Sequence, residues 1–446
     1  MNRPISIMLG ALVTLTCAVH AREVNVFKEL MIVHGDFVGS HLAKPGGPWT
    51  FEKLVKDLAV TAGSNPKLIT KQWLATWRSE QDVLGVKVAA RPGIDPEVIV
   101  PWMKRDGHTT LDFDTWDPNL ANAPFRLLAI VNRMDLRHIV GGRIHDAGEG
   151  RFVFGVFKSD TVDLDADGFP KGAPLPFTVI FEYSLQAATE SEVTQWANYW
   201  HDLGDPGLST PDYLKKVNAV TDRFAAGNVV LNQLRTNEIA LGDPWELREF
   251  NFTMNELKLV TSKQTPQNKL NNKGLLIDYV QVNEKRLLNH AHYAPEYFRG
   301  NRFLAGSVHA NPGDKWKATG ENADAVRVLS FNTCNGCHTG DTNTKFLHIG
   351  IKQSPKEQAE LSAFLLGGNA TANTEPNKPE DFDASASAEG FRDLWERKRL
   401  LESMLTDGVT FTAASPQTLT ERATAEVNKS DAEIINFLAE RVSRVH

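Results

Sequence analysis

Cysteine is scarce, with three residues in a chain of 446: Cys17, Cys334 and Cys337. So few cysteines build no disulfide framework, and stability has to come from packing. Long hydrophobic runs are missing as well. Beyond the first 21 residues no stretch of about 18 uncharged apolar residues occurs, so no transmembrane segment is expected. No run of Lys or Arg appears, and 48 basic residues against 55 acidic ones leave a net charge of −7. That argues against nucleic acid or an anionic membrane as a partner. The chain also lacks a nucleophile elbow, a P-loop, a Rossmann fingerprint, an H-E-x-x-H pair and any internal repeat. The enzymes marked by those motifs are not indicated.

What is present is apolar bulk: 41% hydrophobic residues and ten tryptophans are enough for large cores. The first residues read as a leader. Arg3 supplies a positive start, Ile5 to Ala18 is apolar and uncharged, and Val19-His20-Ala21 offers small residues at a cleavage site. A signal peptide over 1–21, cleaved after Ala21, is the expectation, with a periplasmic or secreted product. Loss of Arg3 takes the charge to −8 over the remaining 425 residues. A lipoprotein anchored through Cys17 is disfavoured, because Thr14 and Thr16 make a poor box before it.

The other two cysteines stand in Cys334-Asn335-Gly336-Cys337-His338. C-x-x-C-H in an exported chain is the attachment signature of haem c. Two thiols one helical turn apart each add to a vinyl group of the porphyrin, and the following imidazole reaches the iron as proximal ligand. Two rival readings remain. One is a zinc site that uses Cys334, Cys337, His338 or His348, and a further histidine. The other is a disulfide. The distal metal ligand is open between His348, ten residues after His338, and Met404, 66 residues on. His309 and His292 are outside choices, and a vacant sixth position would favour peroxide chemistry over electron transfer.

Periodicity predicts an α+β fold, a central mainly antiparallel sheet with flanking helices plus a helical, cytochrome c-like C-terminal segment. The expected division is a helical and loop-rich region over 22–123, an α+β body over 124–325 and a haem-binding region over 326–446. Helices are expected from Phe51 to Leu58 and from Ile69 to Trp77. Phe125 to Val131, Phe152 to Phe157, Phe177 to Leu185 and Trp245 to Val260 read as strands. Thr189 and Glu192 form a capping box ahead of a helix, and Pro211 to Ala226 and Leu275 to Leu288 continue as helices. Ser354-Pro355-Lys356-Glu357 predicts a further helix start, with Leu361, Phe364 and Leu365 as its stripe. A polar loop over 367–390, a basic amphipathic helix from Phe391 to Leu405 and a last helix opened by Ser430 and Glu433 complete the chain.

Several blocks carry a resemblance: Pro124 to Arg137 (PFRLLAIVNRMDLR), Gly148 to Gly155 (GEGRFVFG), Leu234 to Ile239 (LRTNEI), Trp245 to Phe250 (WELREF) and Phe331 to Thr342 (FNTCNGCHTGDT), then Phe346 to Ile349 (FLHI). In this order they resemble a group of exported bacterial proteins that carry one c-type haem motif near the C-terminus. The resemblance implies haem binding and an envelope location, with no established reaction, and it ranks His348 ahead of Met404.

Asp163 to Gly168 starts like a calcium loop, but position 12 falls on Pro174, so an EF-hand is excluded and a turn is the plainer reading. Arg133, Asp135, Arg137, Arg151, Arg235, Glu238, Arg248 and Glu249 flank apolar segments and are expected as structural ion pairs. Arg235 and Arg248 are the candidates for haem propionates. The functional expectation is a monohaem c-type cytochrome working with an unidentified redox partner. The alternatives are a peroxidase-like haem oxidoreductase with a substrate site in the α+β body, and a zinc-stabilised binding protein.

Overall fold

Seven successive strand segments hydrogen-bond side by side in chain order, each antiparallel to the next. They are β1 (Met31–Ile32), β2 (Phe125–Arg133), β3 (Asp146–Lys158), β4 (Ala173–Gln186), β5 (Leu231–Glu238), β6 (Glu246–Thr253) and β7 (Glu256–Val260). An eighth, β8 (Val308–His309), pairs with Glu246 and Leu247 of β6 where β7 stops. The computed structural model describes residues 22–367 and 393–406, apart from 141, 142, 228, 290, 291, 312, 314, 341 and 343. The expected signal peptide with Cys17, the loop beyond Gly367 and the helix from Ser430 lie outside the described residues.

The fold is α+β, as the alternation predicts. The strands expected at 125–131, 152–157 and 177–185 fall within β2, β3 and β4, and the run from Trp245 to Val260 is the hairpin β6–β7. Alternation gives the sheet two unlike faces. On β4, Phe177, Val179, Phe181 and Tyr183 point one way and Thr178, Ile180, Glu182 and Ser184 the other.

The aromatic face is covered mainly by α1 (Phe51–Ala62), α2 (Pro66–Arg78), α3 (Glu190–His201) and α4 (Thr210–Ala225). Helix α1 starts at a Thr50 cap, which accepts from Lys53 N at 3.3 Å, and ends at Gly63 in the left-handed region with φ 60°. Leu54, Val55 and Leu58 are buried on its inner side. The Thr189–Glu192 capping box is formed at the start of α3. The helices bring rings onto the sheet: Phe51 packs on Phe125 at 4.1 Å, Trp77 on Phe250 at 5.3 Å and Phe224 on Phe152 at 5.8 Å. This hydrophobic cluster runs from Val24 to Met404, across both expected borders, 123/124 and 325/326.

Helices α5 (Gly274–Leu288) and α6 (Ala323–Phe331) pack on each other around Tyr279, Phe303, Trp316 and Leu329, a smaller cluster. Three further helices, α7 (Cys334–His338), α8 (Ala363–Leu366) and α9 (Asp393–Thr406), close over the second face. One expectation is corrected. No helix starts at Ser354, although Glu357 accepts from Gln353 N at 2.9 Å and Ser354 N at 3.3 Å, as a cap should. The reason is a competing partner. Ile349 bridges Leu361, Gly350 N donates to Glu360 O at 2.7 Å and Ser362 N to His348 O at 2.9 Å, so this chain is spent in an extended pair. Among the described residues no helix is long and apolar enough to cross a membrane.

Candidate functional site

The five-residue helix α7 is held by its side chains. Thr333 caps it, accepting from Gly336 N at 3.1 Å and from Trp316 Nε1 at 2.8 Å. Cys334 N donates to Thr265 Oγ1 at 2.9 Å, and Asn335 Nδ2 to His309 O at 3.1 Å. Gly336 is required by a close approach, since a Cβ there would stand 2.0 Å from Ser330 O. Helix α7 therefore packs directly against the end of α6.

Both cysteines are free thiols and fully buried. Burial pushes the Cys334 thiol up to about 12, with the nearby Glu249 adding to it, and raises Cys337 well above its ordinary value. Cys334 Sγ lies 3.7 Å from Glu249 Oε1, and Cys337 Sγ lies 3.2 Å from His348 Nε2.

His338 is half-buried and lines a cavity. Burial lowers its pKa to about 4, so the ring is neutral. Its Nδ1 stands 2.7 Å from Phe346 O, an acceptor, which assigns the proton to Nδ1 and leaves Nε2 as the basic nitrogen. Phe346 has φ 64°, a conformation rare for a side chain of its size, and it aims this carbonyl. Asn237 of β5 donates to the same carbonyl at 2.7 Å, and Trp245 Nε1 donates to Asn237 Oδ1. The Trp245 ring stacks on His338 at 5.8 Å and on Phe346 at 5.5 Å. Asn237 and Trp245 belong to the quoted sequence blocks but were not expected in this role; a residue that orients a ligand through a backbone carbonyl has no motif of its own.

The cavity lies between the second sheet face and the segment that covers it. Its inner volume is about 90 Å³, and it is open on one side to solvent. Val131, Val153, Ile180, Leu247, Leu347, Ile349, Phe364 and Leu365 give it apolar walls, and Arg133, Arg151, Arg235 and Arg397 give it guanidiniums.

The sheet floor is a chain of alternating charges. Arg151 lies 2.6 Å from Glu149 and 3.2 Å from Glu182, and Arg235 lies 2.9 Å from Glu182 and 3.5 Å from Glu249. Burial works against the Glu149 carboxylate, yet Arg151 and its neighbours hold it well below the usual range. Burial raises Glu182 despite the same arginines. The chain of charges ends at Glu249, in contact with Cys334.

His348 is brought to the motif. Its Nδ1 lies 2.8 Å from Ser362 Oγ, its ring is 4.3 Å from that of His338, and it lines the cavity. Met404 is buried in the main cluster, with Sδ 4.0 Å from Arg137 Nη1, and it is not among the residues lining the cavity. His309 lies 3.0 Å from Trp245 O through Nδ1, and His292 is buried away from the cavity lining. Of the two propionate candidates, Arg235 lines the cavity. Arg248 faces the other way and ties β6 to α2 through Thr76 O at 2.9 Å and to Ala89 O at 2.8 Å. Among the described residues no group of three or more His, Cys, Asp or Glu is arranged to hold a metal ion.

Comparison with protein-family models, curated proteins and solved structures gives no match. The functional reading therefore rests on the chemistry of these side chains.

Proposed function

We propose that this chain is an exported monohaem c-type protein that transfers electrons to or from a redox partner. Cys334 and Cys337 would hold the haem c through thioether bonds, and His338 would supply the proximal nitrogen. The observation that carries the reading is a neutral His338, its proton fixed on Nδ1 by the Phe346 carbonyl, opening on a part-apolar cavity beside two cysteines. Apolar walls suit a macrocycle and guanidiniums suit its carboxylates. When bound, the haem supplies one-electron chemistry. The chain's part is to orient the imidazole, exclude water from the apolar side and neutralise charge.

His348 is the favoured distal residue by proximity, although it needs a rearrangement. Two imidazole nitrogens on one metal stand about 4 Å apart at bonds of about 2 Å, with their ring centres further still. Rings 4.3 Å apart are too close for that, so residues 344–350 would have to withdraw from α7. One feature favours a second reading, a peroxidase-like oxidoreductase: the cavity floor belongs to the sheet, where a substrate would lie beside an open iron.

The deciding experiment is expression with a c-haem attachment system, followed by mass and absorption measurements. A haem-sized mass increase with a haemochrome spectrum is expected, and both should vanish in C334A/C337A. A colourless wild-type product, or a metal-bound one containing zinc and no haem, would overturn the proposal. Iron that stays low-spin and ignores CO and peroxide favours the carrier; high-spin iron that binds CO favours the enzyme.

A further inference from the structure

Among the described residues, four guanidinium groups line the cavity and no carboxylate does. Three of them are engaged by acids set behind the wall. Arg133 forks onto Asp135 at 2.9 and 2.8 Å, Arg151 onto Glu149 at 2.9 and 2.6 Å, and Arg235 bonds Glu182 at 2.9 Å. Arg397 of α9 differs. Its Nη2 pairs with Asp393, one turn earlier on the helix, while Nε stands 3.9 Å from Asp135, too far for a hydrogen bond. Among the described residues, Nε and Nη1 of Arg397 have no hydrogen-bond acceptor although both atoms are buried. The residue as a whole is 5% exposed. Buried donors are nearly always satisfied, so a guanidinium that keeps two of them idle at a cavity wall calls for a missing acceptor.

The surrounding charges say what kind. Arg133 and Arg151 both act on Arg397 as like charges, and burial with this repulsion lowers its pKa to about 10. Arg133, Arg137 and Arg397 are gathered around two carboxylates, Asp135 and Asp393. An acceptor that brought a negative charge would satisfy the idle donors and relieve the repulsion together.

We propose that Arg397, backed by Arg133 and Arg151, is the binding residue for a carboxylate within the cavity. That carboxylate is either a propionate of the bound haem, in which case this inference rests on the function proposed above, or a small free carboxylate held beside it. Both offer the same oxygen chemistry to the same donors.

The test compares the wild-type chain, made with and without haem attachment, with R397Q and R397K, using acetate as probe in isothermal titration calorimetry. It also follows the midpoint potential of the haem-loaded forms against pH. A free carboxylate site predicts saturable acetate binding to the haem-loaded chain, weakened about ten- to hundredfold in R397Q and partly restored in R397K. A propionate site predicts acetate binding only to the haem-free chain, and a shifted pH profile of the potential in haem-loaded R397Q. Should no haem attach at all, the earlier proposal falls, while calorimetry on the haem-free chain still decides this one. Absence of acetate binding to either form, together with an unchanged potential profile in R397Q and R397K, would overturn it. Circular dichroism separates a misfolded R397Q from a specific loss, and R397K then carries the comparison.

Discussion

Phe181 and Glu182 are neighbours on β4, each with no measurable exposure, yet they live on opposite faces of the sheet and are held by different physics. Around Phe181 the contacts are rings and helices: Phe51, Phe154 and Tyr183 pack on it without regard to sign or proton. Around Glu182 the contacts are Arg151 and Arg235, each shared with another carboxylate. Around Phe181 the aromatic face is held mainly by buried area. The charged face is stable only as a complete set, because a buried ion that loses its partner keeps its desolvation cost. The cavity lies on that charged face.

Substitutions on the two faces should separate these two kinds of support. The largest loss is expected for F181A, about 4 kcal/mol in urea denaturation, from transfer and cavity terms together. E182Q should cost nearly as much, about 3 kcal/mol, because it leaves Arg151 and Arg235 short of charge. A value near zero for E182Q would show that water reaches the charged floor freely. Third comes Lys352, in the segment that covers this face, 3% exposed, with Nζ on Pro355 O at 2.9 Å. Burial, with Arg126 nearby, lowers it to about 7. Between about 7 and its ordinary 10.5 the folded chain has released a proton that the unfolded chain keeps, so stability should rise with pH across that window. K352M should therefore stabilise by about 2 kcal/mol below pH 7, a gain that fades towards pH 10.5; a pH-independent difference in melting temperature would count against it. The smallest effect belongs to N237A, about 1 kcal/mol for the lost carbonyl contact. In the haem-loaded protein it should also shift the midpoint potential, a change that a merely structural asparagine would not produce.

Much of the fold was legible in the sequence. Period-two alternation in Phe177 to Leu185 and the Thr189–Glu192 cap are local signals with local causes, and both elements are present. The Ser354 start failed because a cap satisfies donors without forcing a helix, and the His348–Ile349 strand offered the backbone another partner. In the site, Cys334, Cys337 and His338 announce themselves by spacing. Arg235 and Arg248 looked alike in sequence, and only register decides that the first faces the cavity. Arg397 and Met404 share one stripe of α9, but seven residues carry the helix about 10 Å along its axis. It meets the cavity at Arg397 and has left the lining by Met404, a distinction that sequence does not hold.

Every ladder from β1 to β8 closes between segments that precede Cys334 in the chain. A polypeptide delivered N-terminus first can thus finish the floor before its last hundred residues arrive, so the lid comes down on a surface already made.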